Sequence, residues 1–241
     1  MIEVDRDEWI RRIVPGRTFA DVGGLWNTVN EKVSVAAAAD ATSLTMIDLQ
    51  QPGNVWWERF DERMQELDVI DYQCVVADAS SERFAEVVGQ FDVVYCSGVL
   101  YHFPSPYTLI QNLRLISREY VVLTSMTIPS VISNEAGRIT VPEGQALFLP
   151  AITGDQRRIL RRHFEALSIN PTTILDVPDR GWLHRNGVPD FGPWWWLMTE
   201  DFIKGLARAA QFEVLESGEV WGGRVTDLLL RKLPLASPGE V

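Results

Sequence analysis

The sequence predicts an α/β fold: a doubly wound, mostly parallel seven-stranded sheet with an antiparallel terminal hairpin and an inserted lid region. From Thr18 onward, short apolar or β-branched runs alternate with longer helical patterns, which is the order expected of βαβ units. Parallel strands need such long crossover connections. The last two apolar runs, EVLESGEV and RVTDLLLRKL, are joined only through WGG, and this short connection predicts an antiparallel hairpin at the sheet edge.

The elements follow a regular order after a first helix that is expected to carry Arg6, Arg11 and Arg12 on a solvated face. The apolar and β-branched content of the short runs favours strands. The predicted strands are RTFADV, SLTMIDL, YQCVVAD, FDVVYCS and YVVLTSM, followed by the two runs of the hairpin. The predicted helices are TVNEKVSVAAAADA, residues 56–67, 82–88 and 106–116, and TEDFIKGLARAAQF.

Residues 128–198 interrupt this alternation. They mix prolines and glycines with a basic helical stretch, GDQRRILRRHF, and the aromatic cluster PWWWLM. The chain is long enough to bury one sizeable core. We therefore expect residues 1–241 to form a single domain with an insertion at about 128–198.

Charge and composition disfavour several classes of protein. The 22 Lys and Arg against 33 Asp and Glu give a net charge of -11, which repels phosphate backbones and anionic membrane surfaces. Nucleic acid is therefore an unlikely partner. The sequence contains no unbroken run of 18 apolar residues, so no membrane span is predicted. The two cysteines, Cys74 and Cys96, lie in apolar runs and are expected to be buried free thiols in a cytoplasmic setting. A homodimer is left open.

The stretch FADVGGLWNTVN leaves the first predicted strand through two adjacent glycines. In open α/β sheets the first turn after a strand is the usual glycine-rich contact for a ligand. Gly23 and Gly24 permit close backbone approach, and the following helix offers free amide donors to a polar or anionic group. A plain turn without a ligand explains the same residues.

Polar or small residues also stand at the next three strand ends. MIDLQ places Asp48 where a carboxylate can accept from ribose hydroxyls. VVADAS places Asp78 where it can accept from an adenine amine, and SGVLYHFPSP follows the fourth strand. The alternative is that Asp48 and Asp78 cap the helices that follow them, as aspartates often do.

Taken in this order, DVGG, MIDL, VVADAS and SGVLYHFPSP resemble the class I, Rossmann-like S-adenosylmethionine-dependent methyltransferases of the small-molecule type. The resemblance covers about residues 15–127 and 194–232. It implies S-adenosylmethionine as cofactor, with the glycines beside its methionine part, the second strand end at its ribose, the third at adenine and the fourth near the sulfonium. The implied cofactor-binding residues are Asp21, Gly23, Gly24, Asp48, Leu49, Asp78, Ala79, Cys96 and Ser97.

One departure from the family pattern concerns the turn itself. The family's first motif has glycines at alternate positions, and here Leu25 and Asn27 stand where the second and third would fall. The Cβ of Leu25 is expected to crowd the cofactor unless the backbone shifts. Gly24 would then restore the clearance, with Trp26 folding away from the ligand or over it.

His102, just past the fourth strand, is the candidate general base for a hydroxyl acceptor, because its ordinary pKa is near neutral. The alternative is a structural role, with its ring hydrogen-bonded to backbone or helping to seat the cofactor. His163, on a helix, or His184, in a loop, could face the acceptor instead, although a solvated face is the expected position of His163. No metal site is expected, although Asp176, Asp179 and His184 are near in sequence.

The insertion is the region where this family builds acceptor specificity. Trp194, Trp195 and Trp196 offer flat apolar walls to a ring or sugar face, and Tyr101 is grouped with them as an acceptor residue. Three consecutive tryptophans cannot all point one way on a regular element. We therefore expect at least one in the core and one facing the cleft.

Three functions are compatible with these features. The first is an S-adenosylmethionine-dependent methyltransferase that O-methylates a small aromatic, polyketide-like or sugar-containing acceptor. The second follows from SGVLYHFPSP, which resembles the corresponding loop of the enzyme that carboxymethylates the wobble uridine of transfer RNA. The third is a catalytically inactive partner subunit or sensor, because the glycine motif is altered.

Overall fold

A seven-stranded sheet forms the centre of the protein in the computed structural model, which describes residues 5–28, 31–176, 182–183, 192–221 and 224–235, the side chain of Asn27 excepted. Two small two-stranded sheets accompany it. The strands are β1 (Thr18–Val22), β2 (Ser43–Asp48), β3 (Gln73–Val76), β4 (Phe91–Ser97), β5 (Ser117–Met126), β6 (Val131–Asn134), β7 (Gly137–Thr140), β8 (Ala146–Phe148), β9 (Trp196–Met198), β10 (Phe212–Val220) and β11 (Val225–Lys232).

The strand order in the large sheet is β10-β11-β5-β4-β1-β2-β3. β1 pairs in parallel with both β2 and β4, whereas β11 pairs antiparallel with both β5 and β10. The predicted fold class and the antiparallel terminal hairpin are therefore confirmed; Gly222 and Gly223 of its WGG connection lie outside the described residues. Because the chain leaves β1 toward β2 on one side and returns in β4 on the other, a crevice opens at their carboxyl ends, the usual ligand position in such sheets.

The helices cover both faces of the sheet. Three of them begin at well-formed caps: the side chain of Asp5 accepts from the Asp7 amide, that of Asn54 accepts from the Trp56 amide, and Thr153 and Gln156 form a reciprocal capping box. The helices are α1 (Arg6–Ile13), α2 (Val33–Ala37), α3 (Val55–Glu66), α4 (Phe84–Val88), α5 (Pro106–Ile116), α6 (Gly154–Ala166), α7 (Thr172–Leu175) and α8 (Glu200–Ala209).

Alternate residues of each strand enter two separate cores, as the period of a strand dictates. Phe19 of β1 packs with residues of α1, α2 and α3 on one face, whereas Ala20 packs with α5 and α8 on the other. Both faces of the sheet are thus covered, which explains why its central strands read as continuous apolar runs.

The segment after β5 builds a third, smaller core. Ile132 and Ile139 from the β6–β7 pair pack with Leu160 and Phe164 of α6. The amide of Trp195 donates to the carbonyl of Tyr101 at 2.8 Å. This bond ties the segment to the loop that follows β4, so the insertion is held against the carboxyl edge of the large sheet.

Cys74 differs from the expectation. Both cysteines are free thiols, but Cys74 is exposed and only Cys96 is buried. The reason is that β3 is short and is the outermost strand of the sheet. It has a neighbouring strand along one edge only, so solvent reaches its residues from the other edge. Among the described residues, none of the helices is both long and apolar enough to cross a membrane.

The position of β11 between β10 and β5 predicts a large energetic role for its side chains. Leu229 is 1% exposed, and Leu215 of β10 is 37% exposed. Leu229→Ala should lower the free energy of unfolding by about 2–5 kcal/mol, because it leaves a cavity that neighbours only partly fill. Urea titration followed by circular dichroism measures this loss, and Leu215→Ala, as the matched control, should lose less than about 1 kcal/mol. Equal losses in the two variants would contradict the topology.

Candidate functional site

The glycine turn after β1 is packed so tightly that side chains are excluded from it. Gly23 has a φ of +80°, a left-handed conformation that favours glycine, and a Cβ there would lie 2.4 Å from Val99 Cγ2. A Cβ on Gly24 would lie 2.5 Å from each carboxylate oxygen of Asp21. The two glycines are therefore required by the loop after β4 and by Asp21 respectively.

Asp21 is a fully buried carboxylate directly beneath this turn. Its Oδ2 accepts from the Lys32 amide at 2.7 Å, whereas Oδ1 has no hydrogen-bond partner within the described part of the chain. Burial raises the pKa of Asp21 well above its ordinary value, and the Lys32 amide only partly opposes this effect. A buried oxygen left without a hydrogen-bond partner is costly, so a ligand donor that reached Oδ1 would satisfy this atom and favour the ionised carboxylate.

Asp48, at the end of β2, is bonded to backbone amides. Its Oδ1 accepts from the Gln50 amide at 3.0 Å. Burial raises the pKa of Asp48, and hydrogen bonds from the amides of Gln50, Leu25 and Leu49 lower it by less. The Gln50 bond closes a local turn, and α3 is capped by Asn54 instead, so Asp48 does not cap that helix; the Leu25 bond also ties Asp48 to the glycine turn. Leu49 itself is 45% exposed.

The side chain of Leu25 points away from the turn. It is fully buried in the core that contains Phe19 and Phe60, so it does not occupy the crevice. Trp26 is instead 64% exposed, and its ring lies 4.9 Å from that of Trp56. Of the two departures from the family's glycine pattern, Leu25 is therefore accommodated by a core position, and the side chain of Asn27 lies outside the described residues.

The turn after β3 is held from below by a residue that sequence analysis missed. Oδ1 of Asp78 accepts from the amide and hydroxyl of Ser80 at 2.8 and 2.7 Å, which closes a local turn and does not cap α4, since that helix begins only at Phe84. Buried Asn112 of α5 donates to the carbonyls of Ala79 and Ser81 at 2.8 and 3.1 Å. Its signal in the sequence was a polar residue within the apolar stripe of PYTLIQNLRLI.

The end of β4 places Cys96 and Ser97 on opposite faces of the sheet. Cys96 is fully buried in the apolar core, and this burial raises the pKa of its thiol. Ser97 is buried on the other face, level with Thr124 of β5. Only Ser97 therefore contributes a polar side chain beside the crevice.

A buried polar cluster extends from Ser97 across the sheet. Thr124 donates to Oδ1 of Asp227 at 2.7 Å, and Arg6 lies 3.5 Å from the same oxygen. Burial raises the pKa of Asp227, and the Thr124 bond and Arg6 oppose this. The expectation of a solvated Arg6 is wrong, because its side chain is only 16% exposed and pairs with a buried carboxylate.

His102 is hydrogen-bonded to backbone. Its Nδ1 lies 3.0 Å from the carbonyl oxygen of Pro193, and because a carbonyl can only accept, Nδ1 carries the proton. In the neutral ring the lone pair is then on Nε2, the form that a general base requires. The His102 ring also packs at 4.5 Å against buried Tyr101.

The three tryptophans join the insertion to the loop after β4. Trp194 lies between Tyr101 and Phe164, with ring centroids 4.1 and 6.4 Å away. Trp195 is buried, and Trp196 donates through Nε1 to the Pro104 carbonyl at 3.1 Å. These contacts are structural, and an acceptor wall formed by Tyr101 and the tryptophans stays a prediction.

A cavity of about 480 Å³ opens at the carboxyl end of β5. The solvated position expected for His163 is wrong, since His163 is half-buried and lines this cavity; burial, together with Arg224, lowers its pKa. None of the predicted cofactor or acceptor residues lines it. The lining residues are Met126, Thr127, Ile128, Pro129, Ser130, Glu143, His163, Phe164, Leu167, Ile169, Thr199, Glu200, Asp201, Lys204, Glu219 and Arg224.

Asp179 and His184 lie outside the described residues. Among the residues that are described, His, Cys, Asp and Glu side chains form no group of three that could hold a metal ion.

Comparison with known proteins finds a family match over part of the chain. Residues 30–119 match the family described as a methyltransferase domain, from just after the glycine turn to the start of β5. The matched stretch is similar to a methyltransferase domain, and the sheet that contains it has the Rossmann-like fold. This family uses S-adenosylmethionine. The fold is shared with the magnesium protoporphyrin IX methyltransferase of Synechocystis, solved with bound S-adenosylmethionine, at a TM-score of 0.54 and 12% identity over 95% of this chain and 76% of that one.

The curated relatives of this methyltransferase domain cover it only in part. A tRNA U34 carboxymethyltransferase of Methylococcus capsulatus is 28% identical over 130 residues, which are 50% of this chain and 40% of that protein. A protein of the same name from a Psychrobacter species is 29% identical over 112 residues, 42% of this chain and 31% of its own length. The chain therefore spans less than half the length of these relatives.

The contact between Gly24 and Asp21 predicts a sharp effect of one methyl group. Gly24→Ala should lower the free energy of unfolding by about 1–3 kcal/mol, because the new Cβ collides with a buried carboxylate. Differential scanning fluorimetry measures the change. Gly205→Ala in α8, where a Cβ meets nothing within 4 Å, is the matched control and should be neutral or stabilising. A Gly24→Ala protein as stable as the parent would show that the turn is loosely packed.

Proposed function

We propose that the protein is an S-adenosylmethionine-dependent methyltransferase that O-methylates a small molecule. The observation that carries the proposal is the buried Oδ1 of Asp21 beneath the glycine turn, which has no partner among the described residues, with a second carboxylate, Asp48, at the neighbouring strand end. Such a pair suits a ligand that presents hydrogen-bond donors to both strands. The family match supports the identity of that ligand.

The residues present fit the cofactor's chemical groups. Asp21 would accept from its cationic amino-acid end, and Asp48 from its ribose hydroxyls. Asp78 and Ala79 would border adenine on a turn that Asn112 holds, and Ser97 would lie near the sulfonium. Leu25 leaves the crevice clear, because its side chain is buried in the core.

The methyl transfer itself asks little covalent chemistry of the protein. When bound, S-adenosylmethionine supplies a methyl group that a nucleophile displaces directly from sulfur. The chain has to align the two reactants, a role that the rigid strand ends suit, and to receive the proton of a hydroxyl acceptor. His102 is the proposed general base, because its Nδ1 proton is committed to the Pro193 carbonyl and its lone pair is on Nε2.

The proposal predicts tight binding of S-adenosylhomocysteine, the demethylated cofactor, through Asp48. Isothermal titration calorimetry of the wild-type protein should give a dissociation constant below the millimolar range. Asp48→Asn should weaken binding by about tenfold, since a charged acceptor is lost to the ribose. Asp40→Asn, an identical change at an exposed position, should leave it unchanged. Lack of binding by the wild-type protein would favour an inactive partner subunit instead.

A transfer-RNA-modifying transferase is the second candidate, favoured by the relatedness to tRNA U34 carboxymethyltransferases. The net charge of -11 speaks against it, since contacts to phosphates supply most of the affinity for RNA.

This candidate makes a separate prediction about salt. If transfer RNA is the acceptor, filter binding of total transfer RNA should weaken by at least about tenfold as salt rises fourfold, because counterions are released on binding. We expect no specific retention at either salt concentration. Steeply salt-dependent binding would replace the small-molecule acceptor by RNA.

A further inference from the structure

We propose that the cavity at the carboxyl end of β5 is the acceptor site, and that it selects a small, hydroxylated molecule bearing an amine. This inference rests on the proposed methyltransferase function and deepens it. It moves acceptor recognition away from the three tryptophans, which are engaged in joining the insertion to the loop after β4.

Position is the first argument. The cavity begins at Met126, two residues beyond Thr124, which pairs with Ser97 at the end of β4. Two residues of strand span about 7 Å, so the cavity lies next to the strand end assigned to the sulfonium. An acceptor in the cavity would approach from the side of β4 that is opposite β2. Asp48, the carboxylate proposed to bind the ribose, is at the end of β2.

Construction is the second argument. The walls come from three separate parts of the fold: α6 of the insertion, the first turn of α8 and the turn region of the β10–β11 hairpin. Arg224 ties two of these parts together by donating to the carbonyl of Leu167 at 2.9 Å. The volume of the cavity, about 480 Å³, is within the range of small-molecule sites, about 300–1,000 Å³.

Charge defines the class of acceptor. Lys204 is neutralised by Glu200 at 2.5 Å. The carboxylates of Glu143, Asp201 and Glu219 also line the cavity, and in the described part of the chain they form no ion pair or hydrogen bond. Arg224 is the other basic residue of the lining, so four carboxylates stand against two cations, and this negative balance favours ammonium donors over anions.

His163 reinforces this selection. Its ring is half-buried between Phe164 and the cavity, and burial together with Arg224 lowers its pKa. A neutral imidazole adds a further acceptor atom without adding positive charge, so the site remains suited to donor-rich ligands.

Calorimetry with two probes of similar size tests the inference: neamine, a two-ring amino sugar with several ammonium groups, and maltose, a neutral two-ring sugar. Neamine should bind the wild-type protein, and maltose should bind at least about tenfold more weakly. In Glu143→Gln/Glu219→Gln the affinity for neamine should fall by about tenfold, since two unpaired carboxylates are lost.

The matched control is Glu58→Gln/Glu62→Gln, which makes the same charge change on exposed positions of α3 and should leave neamine binding unchanged. An equal loss in both double variants would show diffuse attraction to an acidic protein and overturn the inference. So would wild-type protein that binds no neamine, or that binds maltose equally well. Binding of S-adenosylhomocysteine should be the same in all variants; its failure in the wild type would refute the methyltransferase proposal alone.

Discussion

The close approach between the Gly24 backbone and the Asp21 carboxylate is the constraint on which the site depends. The carboxylate lies within 2.5 Å of where a Cβ would stand, so only glycine fits. Because Asp21 is fully buried, the position of the turn is fixed by the sheet rather than by solvent-exposed contacts. Asp48 then ties the turn to β2 through the Leu25 amide. A rigid pair of strand ends is what alignment of two reactants requires.

Local patterns in the sequence were sufficient for the sheet and for the strand ends. Where the burial of a residue follows from its neighbours in the sequence, apolar runs separated by short turns predict strands correctly. This was the case for β1 to β5 and for the hairpin. They were insufficient for Cys74, because the sequence of a strand does not reveal that the strand lies at the edge. They also missed Arg6, whose partners Thr124 and Asp227 are distant in sequence.

The acceptor region illustrates a different limit. Three consecutive tryptophans attracted attention as a binding wall, yet aromatic area serves packing as readily as recognition. Trp194 sits between Tyr101 and Phe164. The acidic cavity residues give no local signal, since Glu143 lies in a turn and Glu219 near the end of β10, and only the fold brings them together. Regions assembled from distant loops are therefore read least well from sequence.

The strand order also has a consequence for biosynthesis. β5 is translated well before its outer neighbour β11, and α1 bonds to the hairpin through Trp9 and Glu216. Until the ribosome has delivered the final strand, the nascent chain presents β5 with one unpaired edge. Such an edge is prone to pair with other chains, so the interval before β11 emerges is the one in which the nascent chain is most exposed to aggregation.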